Sequence, residues 1–265
     1  MTGHAISEVV ILGAGNLGTH LARVFKANGI KVSQVFDRLP SKGKKLAKDI
    51  GAEFASGQDK IFTGADLYIL SVSDSAIETV AKILKPGDSL IAHCSGSLPM
   101  EILGPYASHY GVFYPLQTFS IRNQVSFYDI PLCVEANNPE SRRQLMELAN
   151  KISGKVHRIN SEKRRILHLT AVLANNFTNF MYTAAEEILK SHGIPFSLLE
   201  PIIGQTALNA RGGSVFKNQT GPAIRGDHKV LESQRQLLKD FPDFVELYDI
   251  ITQNIIKYKR LHGQL

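Results

Sequence analysis

Residues 13–18 of the 265-residue chain read Gly-Ala-Gly-Asn-Leu-Gly. In such a turn the three glycines have separate tasks. The first allows a tight bend, the second lets an anion approach the backbone, and the third lets a helix pack closely on a strand. A helix starting there aims free N–H groups and a partial positive charge at a diphosphate. Gly13, Ala14, Gly15, Asn16, Leu17 and Gly18 are therefore candidates for holding the pyrophosphate of NAD(H) or NADP(H). Asp37, expected at the end of the next strand, suits the adenosine ribose hydroxyls, which would select NAD. Arg38 follows at once, with Lys42, Lys44 and Lys45 close behind, and a guanidinium there suits a 2′-phosphate. Both cofactors stay open, with a slight lean to NADP. Ser71-Val72-Ser73, at the end of a third apolar run, forms a second cofactor-facing segment, because ligands of open α/β sheets lie outside the carboxyl ends of strands.

The next strand ends in His93-Cys94-Ser95-Gly96-Ser97, whose hydroxyls and backbone N–H groups could hold a carboxylate or carbonyl. Ser95, Gly96 and Ser97 are candidate substrate ligands. His93 is more simply a core histidine. Tyr114-Pro115-Leu116-Gln117-Thr118-Phe119 combines a rigid turn with an amide and a hydroxyl, and Gln117 could line a substrate wall. Arg225, in a loop running from Thr220 to Asp227, could bind an anionic substrate. Asp227 reads as a helix N-cap.

Alternation of short apolar runs with amphipathic stretches must position these groups. Strands are expected at Val9–Leu12, Lys31–Asp37, Leu67–Val72, Ser89–His93, Val112–Tyr114, Leu132–Glu135 and Lys155–Ile159. Helices are expected from Asn16 to about Asn28, and over Ser41–Ile50, Ser75–Leu84 and Pro139–Ile152. This pattern implies an α/β, doubly wound, mostly parallel sheet with helices on both faces. After Asn160 strand signals vanish. One long helix is expected over Ser161–Ser191, another over Ser197–Ala210, then a glycine-rich loop and two more helices, the last starting at Pro242/Asp243. The reading is a dinucleotide-binding domain over residues 1–160 and an all-helical substrate and dimerisation domain over 161–265. Ile166, Leu169, Phe177, Phe180 and Met181 give the long helix more apolar surface than one neighbour needs, so a homodimer through the helical domain is expected.

Lys and Arg number 30 against 24 Asp and Glu, a net charge of +6. That balance is too mild and dispersed for nucleic acid without a recognition motif. Two cysteines, Cys94 and Cys133, exclude a disulfide scaffold and lack partners at zinc-ligand spacing, so reduced buried thiols and no metal are expected. Met1 to Glu8 lacks the cationic and apolar character of a signal peptide, and no apolar run approaches a bilayer's width. A soluble, cytoplasmic protein is expected.

His93-Cys94-Ser95-Gly96, then Tyr114-Pro115-Leu116-Gln117-Thr118-Phe119, then His168 seven residues before Asn175, resemble an uncharacterised family of NADP oxidoreductases. Its members pair a Rossmann domain with a helical domain like that of 6-phosphogluconate dehydrogenase. The wider superfamily includes 3-hydroxyisobutyrate dehydrogenase, ketopantoate reductase, pyrroline-5-carboxylate reductase and deazaflavin-dependent NADP reductases. The resemblance covers essentially the whole chain. It implies a polar helix beside the nicotinamide, and hydride transfer between NAD(P) and a small, carboxylated carbonyl, hydroxy or imine compound. In better-known relatives the helix opening the second domain carries a proton-donating lysine with an asparagine one turn on. Here Lys163 is followed by Leu167, so that identity does not carry over. His168, of the side-chain type suited to proton exchange, is the best candidate acid–base group, with Asn175 beside it on a regular helix. Two other functions fit the same residues: a dinucleotide sensor without turnover, and hydride exchange between NADP and a deazaflavin.

Overall fold

The computed structural model describes residues 5–57, 60–121, 125–211, 213 and 215–262. Contact density divides the chain into two compact units, Met1–Leu173 and Ala174–Leu265.

The first unit is built on eight strands: β1 (Glu8–Leu12), β2 (Lys31–Phe36), β3 (Glu53–Ala55), β4 (Leu67–Leu70), β5 (Leu90–His93), β6 (His109–Pro115), β7 (Leu132–Ala136) and β8 (Val156–Arg158). They form one sheet in the order β3-β2-β1-β4-β5-β6-β7-β8. Every neighbouring pair is parallel except β6 with β7. Five helices accompany the sheet: α1 (Asn16–Ala27), α2 (Pro40–Ile50), α3 (Asp74–Ile83), α4 (Pro139–Ile152) and α5 (Ser161–Ala171).

Side chains of period two feed two separate cores, as they must in a sheet covered on both faces. Val9 and Ile11 of β1, Leu67 and Ile69 of β4, and Leu90 and Ala92 of β5 pack with Leu21 and Phe25 of α1, Leu46 of α2 and Leu145 of α4. Val10, Leu12, Tyr68, Leu70 and Ile91 point the other way and pack with Ile77, Val80 and Ala81 of α3. The chain thus leaves β1 for one edge through α1 and α2, then returns to β4 on β1's other side. Strand order reverses between β2 and β4, and the crevice outside their carboxyl ends is where such sheets bind ligands.

The second unit is helical. The helix that opens at Ser161 does not run unbroken: α5 ends at Ala171, residues Val172–Phe177 form a π-helical stretch, and α6 covers Thr178–Ser191. Further helices are α7 (Glu200–Asn209), α8 (Pro222–Arg225), α9 (His228–Leu237) and α10 (Pro242–His262). Asp227 caps α9 by accepting from the Val230 N–H at 3.2 Å. Helix α5 belongs to the first unit rather than to the helical one, because a buried ion pair on β7, described below, ties it to the sheet. No helix among the described residues is long and apolar enough to cross a membrane.

Candidate active site

The glycine-rich turn is built as its spacing implies. Gly13 has φ +109°, a left-handed conformation that glycine adopts without strain. Its N–H donates to Phe36 O at 2.8 Å. A Cβ on Gly18 would lie 2.0 Å from Gly13 O, so only glycine allows α1 to sit this close to β1. A Cβ on Gly15 would meet nothing within 4 Å. Gly15 is also the N-cap of α1 and, lacking a side chain, leaves the first turn of the helix uncapped. An open cradle at an uncapped helix N-terminus fits a diphosphate.

Asp37 is spent on the same turn. Its Oδ2 accepts from the Ala14 N–H at 2.5 Å, and its Oδ1 from the Leu39 N–H at 2.7 Å. The carboxylate thus braces the turn with one hydrogen bond on each oxygen, and Asp37 also lines the adjoining cavity. Arg38 and Lys42 line a cavity of about 450 Å³, together with Gly15, Val72, Thr79 and Ile83. Its apolar wall and two cations suit an adenosine bearing a 2′-phosphate. Lys44 and Lys45 are exposed on α2.

Ser71 also lines the cavity, but its hydroxyl lies 2.9 Å from Gly13 O and 3.1 Å from Leu12 O. It staples β4 to the turn. Ser73 is the N-cap residue of α3, and its hydroxyl is 3.3 Å from that of Ser75. Asn16 donates from Nδ2 to Phe119 O at 2.9 Å, and His20 Nε2 lies 3.0 Å from Ser120 O. The first turns of α1 therefore hold the loop that follows β6, with Leu17 packed on the core beside them. Nothing in the local sequence pairs Asn16 with Phe119, 103 residues away.

At the end of β5, His93 is fully buried. Its Nδ1 accepts from the Ser95 N–H at 3.1 Å, so the hydrogen sits on Nε2, which faces Pro99 O at 3.3 Å. Burial, reinforced by Arg164, pulls its pKa down to about 4. His93 is a neutral structural histidine. Cys94 and Cys133 are buried free thiols; burial pushes both up, Cys133 to about 11.

Ser95 is also buried, and its Oγ accepts from the N–H groups of Ser97 and Leu98, each at 3.0 Å. It shapes the turn that exposes Ser97. Gly96 has a neighbour of consequence. A Cβ there would lie 2.5 Å from His168 Cγ and 2.6 Å from its Nδ1. The imidazole therefore rests directly on the Gly96 backbone. Tyr114 Oη is 3.0 Å from His168 Nδ1, and the rings meet edge-on at 6.0 Å. Tyr114 is the partner that residue types alone do not reveal. It lies in an apolar strand, and its link to His168 spans 54 residues. Gln117 is exposed, with its Oε1 accepting from the Thr118 N–H at 2.8 Å.

The rotation of α5 that delivers His168 is set one turn earlier. Arg164 is fully buried. Its Nη1 meets Glu135 Oε2 at 2.6 Å, and its Nη2 donates to Leu98 O at 2.5 Å and to Ser161 Oγ at 3.1 Å. Glu135 also accepts from the Ser161 N–H at 2.8 Å and hydroxyl at 2.7 Å. One carboxylate on β7 thus grips the start of α5, and the residue four positions after Arg164 shares its face.

Asn175 and Arg225 belong to the second unit. Asn175 lies in the π-helical stretch, and Arg225 is the exposed last residue of α8. A spacing argument that places Asn175 seven residues along an α-helix from His168 requires α geometry, and that geometry ends at Ala171.

Known proteins share this architecture and part of the sequence. The family described as NADP oxidoreductase coenzyme F420-dependent matches residues 8–93, and a domain of unknown function, DUF2520, matches residues 130–255. Among solved structures, the putative NADP oxidoreductase BF3122 of Bacteroides fragilis is 37% identical. The alignment covers 95% of this chain and 98% of that one, with a TM-score of 0.91. Protein TM1727 of Thermotoga maritima is 25% identical over 92% of this chain and 99% of its own, at a TM-score of 0.74. An imine reductase of Myxococcus stipitatus, solved in complex with NADP+, shares the fold at 14% identity, covering 96% of this chain and 95% of its own, with a TM-score of 0.66. No curated protein matches the chain. With this much of its length and sequence in common with the Bacteroides fragilis protein, the chain belongs to that NADP oxidoreductase family.

Proposed function

We propose that the protein reduces a small carbonyl or imine compound with NADPH, with His168 exchanging the proton. The observation that carries this reading is the seating of the His168 imidazole against the Gly96 backbone with its Nδ1 3.0 Å from the Tyr114 hydroxyl. That places a titratable group at the carboxyl ends of β5 and β6. The dinucleotide cradle at Gly13–Gly18 lies at the carboxyl end of β1 in the same parallel sheet.

In this reading the uncapped N-terminus of α1 holds the diphosphate. Arg38 and Lys42, which line the adjoining cavity, hold the 2′-phosphate. The bound nicotinamide supplies the hydride. The turn at Ser95–Ser97, whose Ser95 and Ser97 N–H groups are held by His93 Nδ1 and Ser95 Oγ, offers the exposed Ser97 hydroxyl to the substrate, and His168 gives or takes the proton on the substrate heteroatom. General acid–base groups of this kind contribute about 10²–10⁴-fold.

The test is NADPH consumption against a panel of 2-oxo acids, other small carbonyls and cyclic imines, beside calorimetric binding of NADPH and NADH. The Arg38→Ala, Lys42→Ala double variant should weaken NADPH binding roughly 10- to 100-fold, as loss of charge-assisted contacts worth ~1.4–3 kcal/mol implies, while NADH binding changes little. His168→Ala should lower turnover without changing NADPH affinity. Failure of both dinucleotides to bind would end the reading.

The helical unit is proposed to pair with a second copy. Phe177, Phe180, Leu198, Ile202 and Leu261 are each more than half exposed, a large apolar surface for a monomer. Light scattering at micromolar concentration should give twice the 29.2 kDa chain mass; a monomer mass would reject the pairing.

A further inference from the structure

We propose that Gln117 determines the substrate, its side-chain amide donating from Nε2 to an oxygen on the carbon next to the reacting one. Substrates are then 2-oxo or 2-imino acids and their amides, in preference to plain ketones and imines. The inference rests on the reductase reading above, and three observations carry it. First, the amide is oriented. Gln117 Oε1 accepts from the Thr118 N–H at 2.8 Å, which turns the oxygen inward and Nε2, with its two hydrogens, away from the backbone. The residue is exposed, and among the described residues nothing accepts from Nε2. Second, the segment is anchored at both ends. The Leu116 N–H donates to Pro131 O at 2.9 Å. Beyond Gln117, Phe119 O accepts from Asn16 Nδ2 at 2.9 Å, and Ser120 O from His20 Nε2 at 3.0 Å. The Phe119 ring lies 5.3 Å from that of His20 and stacks on Phe127 at 5.6 Å. Helix α1, which carries the glycine-rich turn at its start, thus also sets where Gln117 stands. Third, Gln117 adjoins the reacting end. Leu116 and Leu167 pack into one cluster with Val112, Tyr114 and Cys133. Gln117 follows the first leucine and His168 the second.

An uncharged amide reads an acceptor oxygen without reading its charge. A carboxylate and a carboxamide both satisfy its N–H groups. A methylene in the same place strips water from them and returns no acceptor, and an unpaired donor is costly. The site therefore separates compounds by the presence of the neighbouring oxygen, by about 10- to 100-fold for a donor of this kind.

The experiment uses the full chain with three probes that share a methyl ketone: pyruvate, pyruvamide and butanone. NADPH consumption gives kcat/KM, and calorimetry on the NADP+-loaded protein gives Kd without turnover. The wild type should favour pyruvate and pyruvamide over butanone about 10- to 100-fold by both measures. Gln117→Leu should remove that preference with NADPH affinity unchanged. Gln117→Glu should weaken pyruvate more than pyruvamide. Its carboxylate still accepts from the Thr118 N–H but sets an anion where the donors stood, a change that a residue merely shaping the turn would tolerate. His20→Phe keeps a ring against Phe119 but cannot donate to Ser120 O; it should lose about 3- to 10-fold of the preference, and His20→Gln should regain it. A wild type that treats the three probes alike, or a Gln117→Leu protein that keeps the preference, overturns the inference. A Gln117→Leu protein with weakened NADPH binding overturns it too, by giving the amide to the cofactor. A His20→Phe protein with the full preference overturns the anchoring by α1. Preference in binding with no probe reduced removes the reductase reading and leaves the Gln117 assignment standing.

Discussion

Gly18→Ala should destabilise the protein by roughly 3 kcal/mol and abolish dinucleotide binding, whereas Gly15→Ala should leave stability almost untouched and weaken NADPH binding about 10- to 100-fold. The contrast follows from what each added methyl would meet. At Gly18 it would lie 2.0 Å from Gly13 O and 2.5 Å from Ser71 Oγ. Neither can retreat cheaply. The Gly13 N–H is held by Phe36 O, and the Gly13 carbonyl lies against the Ser71 hydroxyl. Relief requires moving α1 off β1, an overpacking error at the upper end of the usual 1–3 kcal/mol. In a unit of this size that lowers the melting temperature by roughly 6–12 °C. At Gly15 the backbone has φ −73° and ψ −172°, which alanine adopts freely, and the methyl projects into open space. The cost appears when a diphosphate needs that space, and 1.4–2.8 kcal/mol lost there is about 10- to 100-fold in affinity. Thermal melting beside calorimetric titration with NADPH reads both effects. A Gly18→Ala protein that melts and binds like the wild type would show that the turn does not pack as described. A Gly15→Ala protein that binds NADPH normally would place the diphosphate elsewhere.

The glycine-rich turn was legible because every requirement on it is local: three glycines, an apolar strand before and a helix after. The strands were legible for a similar reason. Both faces of the sheet are covered, so β1, β4 and β5 read as continuous apolar runs. Three-residue β3, at the sheet's edge, gave too short a signal. The antiparallel direction of β7 is a pairing property that no single segment carries. Asp37 illustrates a subtler limit. Its position suggested a ribose ligand, and its position is as expected, but its oxygens face Ala14 and Leu39. Ser71 and Ser95 behave alike: each stands where a ligand-binding hydroxyl was expected, and each serves neighbouring backbone. Small polar side chains near tight turns satisfy the backbone first. Arg164 was the least legible of all. Nothing on a helix reading Glu-Lys-Arg-Arg-Ile separates the arginine that is fully buried from the exposed one beside it. The distinction is made by Glu135 on a distant strand.

That ion pair yields the second large effect. Arg164→Met should destabilise the protein by about 3–5 kcal/mol, because it leaves the Glu135 carboxylate, only 12% exposed, without its cation. Arg164 also spends Nη2 on Leu98 O, whose segment is shaped by the Ser95 turn. Its loss therefore loosens both the helix that carries His168 and the turn that His168 rests on. Replacing the pair together, as Arg164→Met with Glu135→Leu, should recover much of the stability, since two apolar side chains remove the stranded charge. Turnover should not recover with it. A hydrophobic pair can fill the space but cannot grip the Ser161 N–H and hydroxyl, as Glu135 does at 2.8 and 2.7 Å. Without that grip α5 loses its polar tie to β7, which helps set the rotation on which the 3.0 Å contact between Tyr114 and His168 depends. Denaturant unfolding and NADPH consumption on one set of variants separate the two contributions. A single Arg164→Met variant as stable as the wild type would refute the buried pair's structural role. A double variant regaining both stability and turnover would show that apolar packing suffices to place His168. A double variant that is stable yet slow is the expected result: burying two charges is an expensive way to hold a helix, and what it secures here is the direction in which that helix faces.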